Sequence, residues 1–265
     1  MPDPGGGERP VLLCHATGFN GLVWRPLAAH LTGYHALAPD LRGHGRSNAP
    51  AGRAMDWDGF ADDVLAVVDA WGVDDLVAVG HSKGGAALLM AEERRPGTFA
   101  ALFCYEPVVI PPGVGFADSS DNPLAQGALR RREVFESRAA AFQNYAGKPP
   151  LSVLDPAALE GYVEGGFEDL ADGSVRLRCR PEIESAVFRM AGSNGAFEGL
   201  SRVRCPVTIA RGQLDAPGPA SAAQAIVDAL GDGHLVAFDD LGHFGPLEQP
   251  ARVAQAVLAA FADLA

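Results

Sequence analysis

The apolar run Leu76-Val77-Ala78-Val79 stops at Gly80-His81-Ser82-Lys83-Gly84, and a helical pattern through Met90 begins at once. Strand, tight turn and helix follow with no loop between them. Glycines on both sides of the turn let the backbone bend sharply. The bend stands the Ser82 hydroxyl out at the carboxyl edge of a sheet, where the helix also points its positive dipole end. Around this unit the chain alternates strand and helix. Short apolar strands are expected near 11–14, 34–38, 75–80, 99–105, 205–210 and 234–238, with helical stretches between them. From Trp57 to Trp71, residues Phe60, Val64, Val67, Val68 and Trp71 recur at helical spacing. The last helix places Val253, Val257, Phe261 and Leu264 on one face, to pack against a sheet. The pattern predicts an α/β fold with a doubly wound, mostly parallel sheet of about six strands.

A serine hydroxyl is a poor nucleophile and needs a base. His243, after the short strand Leu235-Val236-Ala237-Phe238 and in a glycine-flanked loop before the final helix, is placed to swing towards Ser82.

Five segments in chain order now resemble the α/β-hydrolase superfamily. Val11 to Phe19 looks like the first strand and its oxyanion loop, and Pro39-Asp40-Leu41-Arg42-Gly43-His44-Gly45-Arg46-Ser47 like the D-x-R-G-x-G-x-S turn. The elbow at Ser82 follows. Val207 to Asp215 looks like the strand ending in G-x-x-D, and Gly242-His243 closes the set. The resemblance implies a triad acid, for which two candidates stand open. Asp215 follows Gly212 where the superfamily usually keeps it, and Glu106 ends the apolar run Phe99 to Tyr105, a position some branches use. Either could hold the imidazole by its Nδ1 proton. The resemblance also implies an oxyanion hole from the backbone N–H groups of Lys83 and Thr17, with Ala16 where the loop usually has glycine. The Lys83 side chain is expected in solvent, and His15, His44 and His81 in structural roles. The superfamily's opening hairpin is expected to be missing.

The alternation lapses from Pro107 to Leu200. Pro111-Pro112-Gly113 opens this stretch and Lys148-Pro149-Pro150 interrupts it. Helical patterns run from Asn122 to Tyr145 and from Pro156 to Phe167, the latter with Asp155 as N-cap and Pro156 in its first turn. The expected organisation is a core over 1–106 and 201–265 with a mostly helical cap at 107–200. Phe116, Phe135, Phe142, Tyr145, Tyr162, Phe167 and Phe188 are candidate cap residues to line a pocket. Arg130-Arg131-Arg132 is expected on a solvated helix face.

Composition narrows the function. The 265 residues suffice for one large domain, and the net charge of −12 argues against nucleic acid or an anionic membrane as partner. Lacking a basic start and an apolar stretch at its N-terminus, the chain is expected in the cytoplasm. Cys14, Cys104, Cys179 and Cys205 lack metal spacing, and three of them, in or beside apolar strands, are expected as buried small hydrophobes. No cofactor or metal is implied. The expected partner is a small-molecule substrate, and the protein itself a monomer or homodimer. The expected reaction is serine-dependent hydrolysis of a carboxylic ester or lactone of a small, largely apolar substrate, through an acyl-enzyme on Ser82. The alternatives are carbon–carbon bond hydrolysis or perhydrolysis on the same triad, and a catalytically idle ligand-binding protein.

Overall fold

In the computed structural model, residues 8–49, 52, 55–113, 122–192, 194–214 and 218–264 are described. Among these the strands are β1 Arg9–Cys14, β2 Tyr34–Leu37, β3 Val77–His81, β4 Ala101–Tyr105, β5 Val134–Phe135, β6 Phe167–Asp169, β7 Val175–Leu177, β8 Val207–Arg211 and β9 Gly233–Ala237. The α-helices are α1 Arg25–Ala28, α2 Trp57–Trp71, α3 Lys83–Arg94, α4 Pro123–Leu129, α5 Arg138–Ala146, α6 Pro156–Gly166, α7 Pro181–Arg189, α8 Ala196–Gly199, α9 Pro219–Ala229, α10 Gly245–Glu248 and α11 Pro250–Ala260.

Six strands pair in the order β2-β1-β3-β4-β8-β9, every neighbour parallel. The period of two along each strand sends alternate side chains to opposite faces. Val11, Leu13, Val77, Val79 and Phe103 pack on one side with Leu27, Val253, Val257 and Phe261. Leu12, Cys14, Ala78, Leu102 and Cys104 pack on the other with Phe60, Val64, Leu88 and Ile226. Helices therefore cover both faces, as parallel strands require. Helix α2 keeps its expected bounds: the Asp56 carboxylate accepts from Gly59 N, and Gly72 closes it in the left-handed region at φ 63°.

The chain between β4 and β8 departs from the expected pattern in two ways. It carries a three-stranded antiparallel sheet, β5-β7-β6, besides its helices. The single helix expected from Asn122 to Tyr145 is two, α4 and α5, separated by Arg130–Ser137 and strand β5. Val134 and Phe135 pair with Arg176 and Val175, long-range partners that local periodicity does not reveal. Helix α6 starts as expected, with Pro156 in its first turn and Asp155 accepting from Ala157 N. It lies on the turn after β1, where a side chain at Gly161 would begin 2.3 Å from the Leu22 carbonyl oxygen.

Candidate active site

Ser82 stands one residue past β3 with φ 54° and ψ −116°. Its N–H donates to the Tyr105 carbonyl at 2.9 Å, and its own carbonyl accepts from Ala86 and Val108. These bonds hold a conformation that costs about 1–3 kcal/mol for a non-glycine residue. The flanking glycines do a different job from the expected one, since neither Gly80 nor Gly84 has positive φ. They allow close approach instead. A side chain at Gly84 would begin 2.1 Å from the Cys14 carbonyl oxygen, and one at Gly80 would begin 2.5 Å from Gly85 Cα.

Glu106 stands one residue past β4, also at positive φ, 43°. Its N–H donates to the Ala210 carbonyl on β8. The residue is 3% exposed. One oxygen accepts from Gly212 N at 2.7 Å, and the other lies 2.5 Å from His243 Nδ1. Asp215, the other candidate acid, lies outside the described residues.

The His243 loop is tied to the strand ends that carry the other two groups. His81, before Ser82, donates from Nε2 to the His243 carbonyl at 2.8 Å. Tyr105, before Glu106, donates from its hydroxyl to the Gly242 carbonyl at 2.8 Å. Burial, and then the neighbouring His243, hold the His81 pKa well below the usual imidazole range, so His81 stays a neutral donor.

In the loop after β1, Leu41 N donates to His15 Nε2 at 3.0 Å, and His15 Nδ1 donates to the Ala16 carbonyl at 2.8 Å. Ala16 is not in the positive-φ region, so its methyl is accommodated, while Gly18 is, at φ 80°. Among the described residues, nothing accepts from the N–H groups of Thr17 and Lys83.

Lys83 departs from its expected solvated place. Its side chain is fully buried. The ammonium nitrogen lies 3.3 and 3.4 Å from the ring nitrogens of His44 and 4.6 Å from the Phe60 ring centroid. Burial lowers its pKa from the ordinary 10.5 to about 7. All four cysteines are buried and free, one more than expected.

A cavity of about 980 Å³ is lined by Thr17, Phe19, Ser82, Glu106 and His243 from the core side. Of the aromatic candidates, Phe135, Tyr145, Tyr162 and Phe188 line it, whereas Phe142 and Phe167 do not. Phe116 lies outside the described residues. Arg131 lines it too, and not on a solvated helix face. Its guanidinium donates to Glu184 at 2.6 Å, to the Tyr145 hydroxyl at 3.0 Å and to the Tyr162 hydroxyl. Its partner Glu184 lies on α7, distant in sequence, and no local pattern announces the pairing.

Parallel sheet, elbow serine and a histidine–carboxylate pair in one cavity define a hydrolase class. The profile of the alpha/beta hydrolase family matches residues 11–256, and the chain belongs to that family. The chain is 37% identical to lipase LipV of Mycobacterium tuberculosis, over 95% of this chain and 92% of that protein. It is 27% identical to strigolactone esterase D14 of Arabidopsis thaliana, over 95% and 91% of the two chains. In fold it is similar to the peroxisomal alpha-beta-hydrolase Lpx1 of Saccharomyces cerevisiae. That match has a TM-score of 0.80 at 21% identity and covers 94% of this chain and 75% of that one.

Proposed function

We propose that the protein hydrolyses a carboxylic ester through an acyl-enzyme on Ser82, with His243 as base and Glu106 as the triad acid. The observation that carries this reading is the 2.5 Å contact between His243 Nδ1 and Glu106, at the end of the strand beside the one that presents Ser82. With Nδ1–H donated to the carboxylate, Nε2 is the free proton acceptor. It takes the Ser82 proton as the hydroxyl oxygen attacks the ester carbonyl. The backbone N–H groups of Thr17 and Lys83 receive the oxyanion. His243 then protonates the departing alkoxide, and water attacks the acyl-enzyme with the same base. Glu106 stabilises the imidazolium without taking its proton. The chain between β4 and β8 acts as a cap that shapes the pocket over Ser82.

The relatives include the Karrikin insensitive 2 receptor CA of Petunia hybrida as well as esterases, so turnover must be measured as well as binding. Purified protein is offered p-nitrophenyl esters of increasing acyl length, with and without a serine-directed phosphonate. The expected result is phosphonate-sensitive hydrolysis and labelling at Ser82, both lost in a folded Ser82→Ala variant. Hydrolysis that survives in Ser82→Ala overturns the nucleophile. Stoichiometric binding of ligand with neither hydrolysis nor labelling favours an idle binding protein.

A further inference from the structure

Among the described residues, the charge lining the cavity runs opposite to the charge of the molecule. The chain carries −12 overall. Yet the described lining residues include four cations, Arg130, Arg131, Arg132 and Lys148, against two carboxylates, Glu106 and Glu184. Both carboxylates are engaged, Glu106 with His243 and Glu184 with Arg131. Arg132 pairs with Glu136, which does not line the cavity. Among the described residues, Arg130 pairs with no carboxylate, and the Lys148 ammonium donates to the neutral Asn144 side chain, at 2.8 Å, and meets no carboxylate. Arg130 and Lys148 are exposed, as is the lining residue Leu124 on α4, so together they mark the mouth.

Arg131 holds this arrangement in place. Its bonds to Glu184, Tyr145 and Tyr162 tie the turn after α4 to α5, α6 and α7 and leave its two neighbours at the opening. The other end of the cavity carries no surplus charge. The Glu184 carboxylate beside Gly18 is paired with Arg131, whose guanidinium lies 3.5 Å from where a side chain at Gly18 would begin. A negative charge on the substrate is therefore drawn to the unpaired cations of the mouth.

We infer that the substrate is an ester with a carboxylate at its end remote from the scissile bond, and that Arg130 and Lys148 receive that carboxylate at the cavity mouth. The inference rests on the ester-hydrolase reading and narrows its substrate class. Exposed cations act through steering and weak pairing, so the preference weakens as salt shortens the Debye length.

The test compares monomethyl and dimethyl esters of succinic and suberic acid, followed by methanol release at low and high salt. For suberate, kcat/KM is expected to favour the charged monoester by about tenfold at low salt, the size of one or two such contacts. For succinate, whose short chain keeps its carboxylate away from the mouth, a ratio near one is expected. In Arg130→Ala/Lys148→Ala the suberate ratio is expected to fall to near one, and in Arg130→Glu/Lys148→Glu below one. Both sites are exposed, so the fold is not at stake. A suberate ratio near one in the unaltered protein, or one that persists in the double variants, overturns the inference. Calorimetry of monomethyl suberate with the Ser82→Ala protein separates this failure from that of the ester reading, because it needs no turnover. Binding there that is lost with Arg130 and Lys148 upholds the subsite whatever bond the enzyme breaks. Equal binding of monoester and diester removes it.

Discussion

Ser82 and Glu106 stand one residue past neighbouring parallel strands, both at positive φ, and the bonds that hold them come from the next strand over. Strain of this kind persists only where surrounding bonds fix it. Both residues line the cavity that His243 also lines, and Glu106 meets the histidine directly. Glu106→Gln keeps the shape but cannot stabilise the imidazolium, and kcat is expected to fall by about 10³–10⁴. Asp215→Asn is expected to stay within a few-fold of the unaltered enzyme. Steady-state kinetics of the two variants side by side decide it, and the reverse pattern moves the acid to Asp215. A subtler effect is expected at Tyr105, whose hydroxyl holds the Gly242 carbonyl. Tyr105→Phe should cost about 1–2 kcal/mol in chemical denaturation and lower kcat more than it raises KM, because the loop it tethers carries His243, the proposed base. Sequence could name Ser82 and His243 from their settings, a strand before each and a helix after. It could not choose between two carboxylates at strand ends, because the choice depends on which one faces the His243 loop in space.

Helix α3 meets β1 with almost nothing between them: Gly84 rests on the Cys14 carbonyl. Gly84→Ala puts a methyl into backbone that cannot retreat without moving a central strand. A loss of about 3 kcal/mol or more is expected in urea unfolding, together with loss of phosphonate labelling as the elbow shifts. A fully stable, fully labelled Gly84→Ala protein would contradict this account of the turn. The core strands were legible because each is a short apolar run bounded by turn residues, and their sites in the sheet depart from the sequence reading by only a residue or two. The stretch between β4 and β8 was less so. Its small sheet is built from two- and three-residue strands, too short to impose a period. Arg131 and Lys83 were misplaced for a related reason. Nothing local distinguishes a buried cation from a solvated one when its partner is Glu184 on another helix, or the ring of His44.

The buried titrating groups give the whole molecule a characteristic response to pH. Lys83 has a folded pKa of about 7 against an ordinary 10.5. Between those values the unfolded chain binds more protons, so stability rises with pH. His15, His44 and His81, held well below the usual range by burial, act with the same sign below about 6.5. The cysteines oppose this at the alkaline end: burial raises Cys14, Cys179 and Cys205 to about 12, so stability falls as unfolded thiols ionise above about 8.5. Unfolding free energy is therefore expected to climb from pH 6 to a maximum near pH 8–9 and then decline. Lys83→Met should flatten the climb between pH 7 and 8.5 and add a few kcal/mol at pH 7. Denaturant titrations across that range test it, and an unchanged slope in Lys83→Met would show that the ammonium is not the source.

In the proposed triad Glu106 comes from β4, so nucleophile and acid hang on one pair of adjacent strands and the loop after β8 has no catalytic duty. That loop still borders the cavity through Gln213, Gly218 and Pro219. It can lengthen, shorten or change its chemistry while the reacting groups keep their register. An enzyme built this way can acquire a new substrate by revising one wall of its pocket and leaving its machinery untouched.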